Sequence, residues 1–373
     1  APFTNKRYVF MTLVTQNGYG GLEHRDSTVL MCPRNDLPRI GEDTSKVTDE
    51  YLNYLTLCSH EYFHNWNVKR IKPKAFAPYK LNKESYTTQL WAFEGFTSFY
   101  EALIVARSGI IDSNRFIQTL AKTLTRVFRT QGRFTQSVAD SSFNTWTKFY
   151  QQDANANNAI VSYYTKGAYI ALALDLTLRE NQSSLDELMQ TLWQRYGDGS
   201  GVPEGEIENI ASELASIDLT GFFNKALHDT QDIDLFPMLA QVGVKFGLGH
   251  VSSLSKTGGH KSDLDGQSKA FIGAKLLAHP WGAKVVFIEN NGAAFKAGLA
   301  SGDIIIALDD LKVNHQNLES ELSKFQLGKK IRIHAFRDNE LLELELPTLT
   351  STNHTVWLDV LNQGLLDSWV LDN

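Results

Sequence analysis

Apolar positions along this chain change their spacing several times. From Arg7 to Val14, aromatic and β-branched side chains run into Asn17-Gly18-Tyr19-Gly20-Gly21, which predicts a strand entering a turn. From Thr48 the spacing becomes helical: Thr48 suits an N-cap, Asp49 and Glu50 suit the positive end of the helix dipole, and Leu52, Leu55 and Phe63 supply apolar positions. That helix cannot pass Pro73. A second helix is predicted from about Glu84 to Ser108, ended by Gly109, with Trp91, Phe93, Phe96, Phe99, Leu103 and Val105 as its apolar content. Helical spacing dominates residues 112–235, as in Tyr169 to Leu178 and Leu185 to Tyr196.

The pattern changes after Pro237. Residues 247–267 are crowded with Gly, Ser, Lys and Asp and read as a long loop. Short β-type runs follow at Lys284 to Ile288, Ile304 to Leu308, Ile331 to Phe336 and Leu341 to Leu346. We therefore expect an α+β chain: a mainly helical unit over residues 1–235, a small β-rich unit over 236–350 that includes the loop, and a tail over 351–373. Trp357, Leu361 and Trp369 make that tail too apolar for free solvation, so it should pack back on the body. No internal repeat is evident.

Composition narrows the classes. At 373 residues the chain exceeds the roughly 250 over which one hydrophobic core usually grows, which agrees with more than one domain. Its 42% hydrophobic and 21% charged residues are ordinary for a folded globular protein, and no apolar run of about 18 residues encodes a membrane span. The formal net charge of -6, with both signs scattered, offers no basic face for phosphates, so nucleic acid is not an expected partner. Cys32 and Cys58 are too few for a disulfide framework and are not spaced as a metal pair. They lean toward a reducing compartment, cytoplasmic over periplasmic. The start at Ala1-Pro2-Phe3, without an initiator Met or a leader, reads as a processed product or an excised piece.

The candidate chemistry begins at His60-Glu61-Tyr62-Phe63-His64. Two histidines one helical turn apart aim their imidazoles at a common point, an arrangement zinc accepts, and Glu61 lies beside them as a base for water. The alternative is a pair of core histidines with backbone partners. A third ligand must come from another segment, and Glu94 stands among apolar residues of the second helix, where a bare carboxylate would be costly to bury. A Glu facing solvent or paired with a Lys is the other reading.

The run His60 to Pro73, the Trp-x-x-Glu-Gly-x-Thr at 91–97 and the upstream Tyr19-Gly20-Gly21-Leu22-Glu23-His24 together resemble the glycyl aminopeptidase family of gluzincin metallopeptidases, PDZ-containing relatives of aminopeptidase N and leukotriene hydrolase. The likeness spans nearly the whole chain. It implies a thermolysin-like catalytic domain followed by a PDZ domain, one Zn2+ per chain on His60, His64 and Glu94, and peptides as substrates. It also implies that Gly20, Gly21 and Glu23 form a substrate site in which the Glu23 carboxylate takes the free α-amino group, a charge-assisted bond worth about 1.5–3 kcal/mol. An ordinary edge-strand charge is the alternative for Glu23.

Tyr164-Thr165-Lys166-Gly167 resembles a Tyr-x-Lys-Gly segment of the same relatives, in which the tyrosine hydroxyl serves the tetrahedral intermediate. Tyr163 is adjacent, and the offset from Gly167 selects Tyr164. Glu101 lies seven residues past Glu94 on one helix face and is proposed to orient His60 or His64; a surface ion pair is the alternative. Lys69 and Arg70 receive no role. The family's N-terminal β domain is expected to be absent here, since the chain starts almost at the Gly-Gly-Leu-Glu-His segment.

In the β-rich unit, Phe271-Ile272-Gly273-Ala274 resembles the carboxylate-binding loop of PDZ domains, and Gly292 to Ile305 resembles their G-x-x-x-x-A-G-L-x-x-G-D-x-I run. A C-terminal peptide is the implied ligand, held at Phe271, Ile272 and Gly273, although the same glycines also serve turns alone. The expected activity is zinc-dependent removal of small N-terminal residues, Gly or Ala. The competing readings are a metallo-endopeptidase and a PDZ peptide-binding protein with a non-functional metal site.

Overall fold

The computed structural model describes residues 5–250, 258–259, 269–351 and 354–371. The long-loop expectation for 247–267 therefore falls mostly outside the described residues. The first strands are β1 (Val9–Thr15), β2 (Gly20–Glu23) and β3 (Ser27–Pro33), ordered β1-β3-β2 with β1 parallel and β2 antiparallel to β3. Gly20 and Gly21, expected in a turn, lie in strand β2 at the edge of this sheet. Helix α1 (Asp49–Phe63) starts where its cap predicts, with Thr48 Oγ1 accepting from Tyr51 N at 3.1 Å, a contribution of about 1 kcal/mol.

The second helix differs from the expectation. It begins at Leu90, and Glu94 separates α2 (Leu90–Phe93) from α3 (Gly95–Arg107). Residues 84–88 are drawn off the helix because the Glu204 carboxylate accepts from the Thr87 and Thr88 hydroxyls and from Thr88 N. The helical body continues with α4 (Ser113–Arg129), α5 (Val138–Phe143), α6 (Ala156–Ala159), α7 (Thr165–Glu180), α8 (Leu185–Tyr196), α9 (Glu206–Ala215), α10 (Thr220–Phe223) and α11 (Leu235–Gln241). Helix α7 is buried over most of its length and forms the axis of the core, against which α3 and α4 pack.

Two glycines permit that packing. A Cβ on Gly167 would lie 2.5 Å from Trp91 O and 2.7 Å from Gly95 Cα, and a Cβ on Gly95 would strike Gly167. Helices α3 and α7 thus cross at backbone contact, which is why the Gly of Tyr-Thr-Lys-Gly is a glycine. Its Lys166 is buried too, with Nζ 2.6 Å from Asp232 Oδ1, while Arg133 Nε is 3.0 Å from Asp232 Oδ2.

The remaining strands are β4 (Val244–His250), β5 (Ala274–His279), β6 (Gly282–Ile288), β7 (Ile304–Leu308), β8 (Leu311–Lys312), β9 (Lys330–Arg337), β10 (Glu340–Pro347) and β11 (His354–Val360), with helices α12 (Ala293–Ala297), α13 (Leu318–Leu322) and α14 (Gln363–Leu371). A sheet ordered β10-β9-β7-β6-β5, with β8 on β7, encloses a separate apolar core that includes Ile272, Val285, Ile305, Leu318 and Ile333. The four β-type runs of the sequence fall on β6, β7, β9 and β10.

The boundary at 235/236 needs correcting. Val244 of β4, and Val356, Leu358, Leu366 and Trp369 of the tail, belong to the helical core, and β4 pairs with β11 antiparallel. Trp369 Nε1 donates to Asp175 Oδ2 at 2.8 Å and Arg107 Nε donates to Val370 O at 3.1 Å. Apolar β-branched spacing looked the same in both units; the partner surface decides which core each strand joins. No helix of the described residues is long and apolar enough to cross a membrane.

Replacing Gly167 by Ala should destabilise the protein by about 1–3 kcal/mol through overpacking against the α2–α3 junction. Urea unfolding checks this: an unchanged midpoint would mean that the crossing is looser than described.

Candidate metal and substrate site

Helical spacing brings His60, in the last turn of α1, and His64, its C-cap, to one side, with ring centroids 4.7 Å apart and planes at 85°. Their Nδ1 atoms are engaged away from each other. His64 Nδ1 lies 2.8 Å from Asn67 O, and because a carbonyl can only accept, Nδ1–H is the donor. His60 Nδ1 lies 2.8 Å from Glu101 Oε2. Both Nε2 atoms are thereby turned toward a third group.

That group is Glu94, at the break between α2 and α3. Its Oε2 is 3.5 Å from His60 Nε2 and 3.3 Å from His64 Nε2, is buried, and among the described residues receives no hydrogen bond of normal geometry. Donors around a tetrahedral zinc at about 2.0–2.1 Å are separated by roughly 3.3–3.4 Å, so the three atoms fit one ion. Two nitrogens and a carboxylate oxygen form a donor set that zinc favours, and the buried orphan oxygen is a polar group that a cation would satisfy.

Electrostatics agree with the geometry. Burial alone would lower the pKa of His60, yet Glu101 and Glu94 more than offset it and push it up to about 10. Burial would raise the Glu94 carboxyl, but His64 and His60 hold it well below the usual carboxylate range. Glu61 is raised to about 7, mainly by burial, with the two histidines pulling down and Glu23 and Glu94 pushing up. A carboxylate poised there exchanges protons near neutrality. Its Oε2 is buried without a hydrogen-bond partner among the described residues, and its carboxyl rests on the backbone of Gly21, where any Cβ would collide with it.

These groups floor a cleft of about 640 Å3 whose walls include Tyr19, Gly20, Glu23, Trp146, Tyr150 and Tyr164. Strand β2 presents its free edge there. Glu23, Glu61 and His64 each offer a donor atom within 4.8 Å of the others. Of the two adjacent tyrosines, Tyr164 lines the cleft, its ring 6.2 Å from that of His60, whereas the buried Tyr163 exchanges a 2.8 Å hydrogen bond with Thr145 Oγ1. Burial, followed by repulsion from Glu94, holds the Tyr164 hydroxyl protonated far above its ordinary range.

The sequence did not point to three contributors. Asn67 holds His64 and also donates through Nδ2 to Phe93 O at 3.1 Å and Thr97 Oγ1 at 3.2 Å, tying α1 to the segment that carries Glu94. Tyr150 places its hydroxyl 3.3 Å from that of Tyr164. Lys69 Nζ lies 2.8 Å from Glu23 Oε1. None has a local signal, because each partner lies on a segment distant in sequence or, for Asn67, on an irregular turn.

Phe271, Ile272 and Gly273 are buried and lead directly into β5, an edge strand. Phe271 N already donates to Leu349 O at 2.8 Å, and Ile272 O accepts from Ala294 N at 2.8 Å.

Residues 53–170 match the M61 glycyl aminopeptidase family and residues 260–348 match the PDZ domain family. An aminopeptidase N family protein from Idiomarina loihiensis has a similar solved structure, 41% identical with a TM-score of 0.92, covering 97% of this chain and 62% of that one. This chain thus spans about 62% of that relative's length. The HtrA-type protease AlgW with a decapeptide is 19% identical over 25% of this chain and 30% of its own, at a TM-score of 0.20. The PDZ domain of HtrA3 bound to a phage-derived ligand is 17% identical over 25% of this chain and 90% of its own, at a TM-score of 0.20. No curated protein matches the sequence.

The raised pKa of His60 carries a sign. In metal-free protein its protonated form contributes stability that is fully present below about pH 6.5 and is lost as pH rises toward 10. The depressed Glu94 contributes stability present above about pH 4.5 and lost as pH falls. A divalent ion must displace the His60 proton and any proton held by His64, which Glu94 also shifts upward, so zinc added to chelator-treated protein at pH 7 should release at least about one proton from this cage, and its apparent affinity should weaken at least about tenfold per pH unit of acidification. Calorimetry in buffers of different ionisation enthalpy measures both; uptake without proton release would place the ion elsewhere.

Proposed function

From the premise that this chain carries the peptidase domain of the M61 glycyl aminopeptidase family followed by a PDZ domain, we propose that it is a zinc aminopeptidase acting on peptides with a small first residue, Gly or Ala. His60, His64 and Glu94 would hold the ion. A bound zinc ion supplies Lewis-acid polarisation of a carbonyl and acidification of water. The observation that carries this reading is the buried, unbonded Glu94 Oε2 facing two imidazole nitrogens whose other ring atoms are already committed.

The side chains divide the remaining chemistry. Glu61, poised near neutrality, accepts the proton of the attacking water and returns it to the leaving amine. Tyr164, held protonated, donates its O–H to the oxyanion as charge develops, and Tyr150 steadies that hydroxyl. The free edge of β2 accepts the substrate backbone as an added strand, and Glu23 at its end receives the α-ammonium. A small first residue agrees with a subsite bounded by Gly21, Glu23 and Glu61 at close quarters. In the PDZ domain, the edge of β5 left unpaired among the described residues is where we place a peptide ligand, with the donors of the Phe271–Gly273 loop partly committed to the domain's own backbone.

Zinc-loaded protein should release arylamine from Gly- and Ala-arylamides and stop when a chelator is added. The Glu61→Gln variant should keep its zinc and lose about 10²–10⁴ in kcat. Chelator-insensitive release would remove the mechanism, and cleavage of N-acetylated peptides as fast as free ones would turn the reading to an endopeptidase.

A further inference from the structure

Lys69 follows the helix that carries the histidines, and its position is enforced by an unusual piece of backbone. Val68 adopts φ 121°, a region that β-branched residues rarely enter. The turn is held there from both sides. Val68 N donates to Ile71 O at 2.8 Å, Ile71 N to Trp66 O at 2.9 Å, and Lys69 N to His64 O at 3.0 Å, while the Val68 side chain is buried. Backbone strain of this kind persists only where surrounding contacts over-determine it, and it concentrates at functional sites.

The turn delivers two groups to neighbouring residues of the site. Asn67 O reaches His64 Nδ1. Lys69 Nζ reaches Glu23 Oε1 at 2.8 Å, with the two side chains only 20% and 22% exposed. Glu23 otherwise faces the carboxylate of Glu61 across no more than 4.8 Å, in a cleft that also contains Glu94. Left alone, a carboxylate beside two others would swing toward solvent. A cation fixed to the α1 end, with one oxygen of Glu23 as its partner, keeps that carboxylate inside the cleft and leaves the second oxygen for a ligand.

We propose that Lys69 is a positioning residue for the substrate's amino terminus: through the strained turn at Val68 it fixes Glu23 in the orientation that accepts an α-ammonium. This rests on the aminopeptidase reading of Glu23 given above. Lys69 touches no reacting atom in this scheme, so its loss weakens recognition of the free amine and spares the chemical step.

The test compares Lys69→Met, Lys69→Arg, Glu23→Gln and the double variant Glu23→Gln/Lys69→Met, each checked for zinc content. The readouts are calorimetric binding of glycinamide and the separate kcat and KM for a Gly-arylamide. Lys69→Met is expected to weaken glycinamide binding and raise KM about tenfold with kcat within about twofold, the size of one partly buried charge contact. Lys69→Arg should recover most of the loss, and in the Glu23→Gln background Lys69→Met should add less than about twofold, because the lysine acts only through that carboxylate. If Glu23→Gln weakens amine binding while Lys69→Met does not, or if the two losses simply add, the positioning role is overturned and the aminopeptidase reading stands. If Glu23→Gln itself leaves amine binding unchanged, both fall together. A fall in zinc content in Lys69→Met and not in Lys69→Arg would make the lysine a support for His64 and overturn the proposal.

Discussion

The oxygen Glu94 Oε2 is buried, accepts no hydrogen bond of normal geometry among the described residues, and stands within 3.5 Å of two imidazole nitrogens. In a low-dielectric interior such an atom is tenable only with positive charge beside it, whether protons on the histidines or a divalent ion among all three. Most of what surrounds the site can be traced to that requirement. Glu101 and the Asn67 carbonyl fix the far sides of the rings. The amide of Asn67 bonds to Phe93 O and Thr97 Oγ1, so the helix bearing the histidines is tied to the helix break bearing Glu94.

Around this centre, the backbone is brought closer than side chains would allow. Gly21 lets the edge strand touch the Glu61 carboxyl, and Gly95 with Gly167 lets α3 and α7 cross at contact distance. The second approach is also what sets Tyr164, three residues before Gly167, at the rim of the cleft. Lys166, between them, is anchored on Asp232 within the core. One short segment therefore combines a cleft residue, a buried ion-pair anchor and a packing glycine, each with its own physical reason for its residue type.

The two apolar cores are joined by more than a linker. Strand β4 leaves the helical body and β11 returns to it as its partner, so the chain enters and leaves the PDZ domain through one two-stranded ribbon packed on α4. Asn158 of α6 adds a direct contact, donating to Ile288 O at 2.8 Å and accepting from Asn290 N at 3.2 Å. The expected break at 235/236 missed this because an apolar strand carries no mark of which core it will join.

What the sequence determined by itself is local. The one-turn spacing of His60 and His64, the Thr48 cap, the glycine pair ahead of Glu23 and the β-type runs now seen as β6, β7, β9 and β10 all depend on interactions within a few residues, which period and residue type encode directly. Tertiary structure alone decided the rest: that Glu94 sits at a break between two helices, that Tyr163 turns away onto Thr145, that Lys69 reaches Glu23, and that the tail pairs with β4. Each of those contacts joins distant segments or separates adjacent residues by which way the backbone turns. Their outcome is set by close packing between elements, which no local periodicity records.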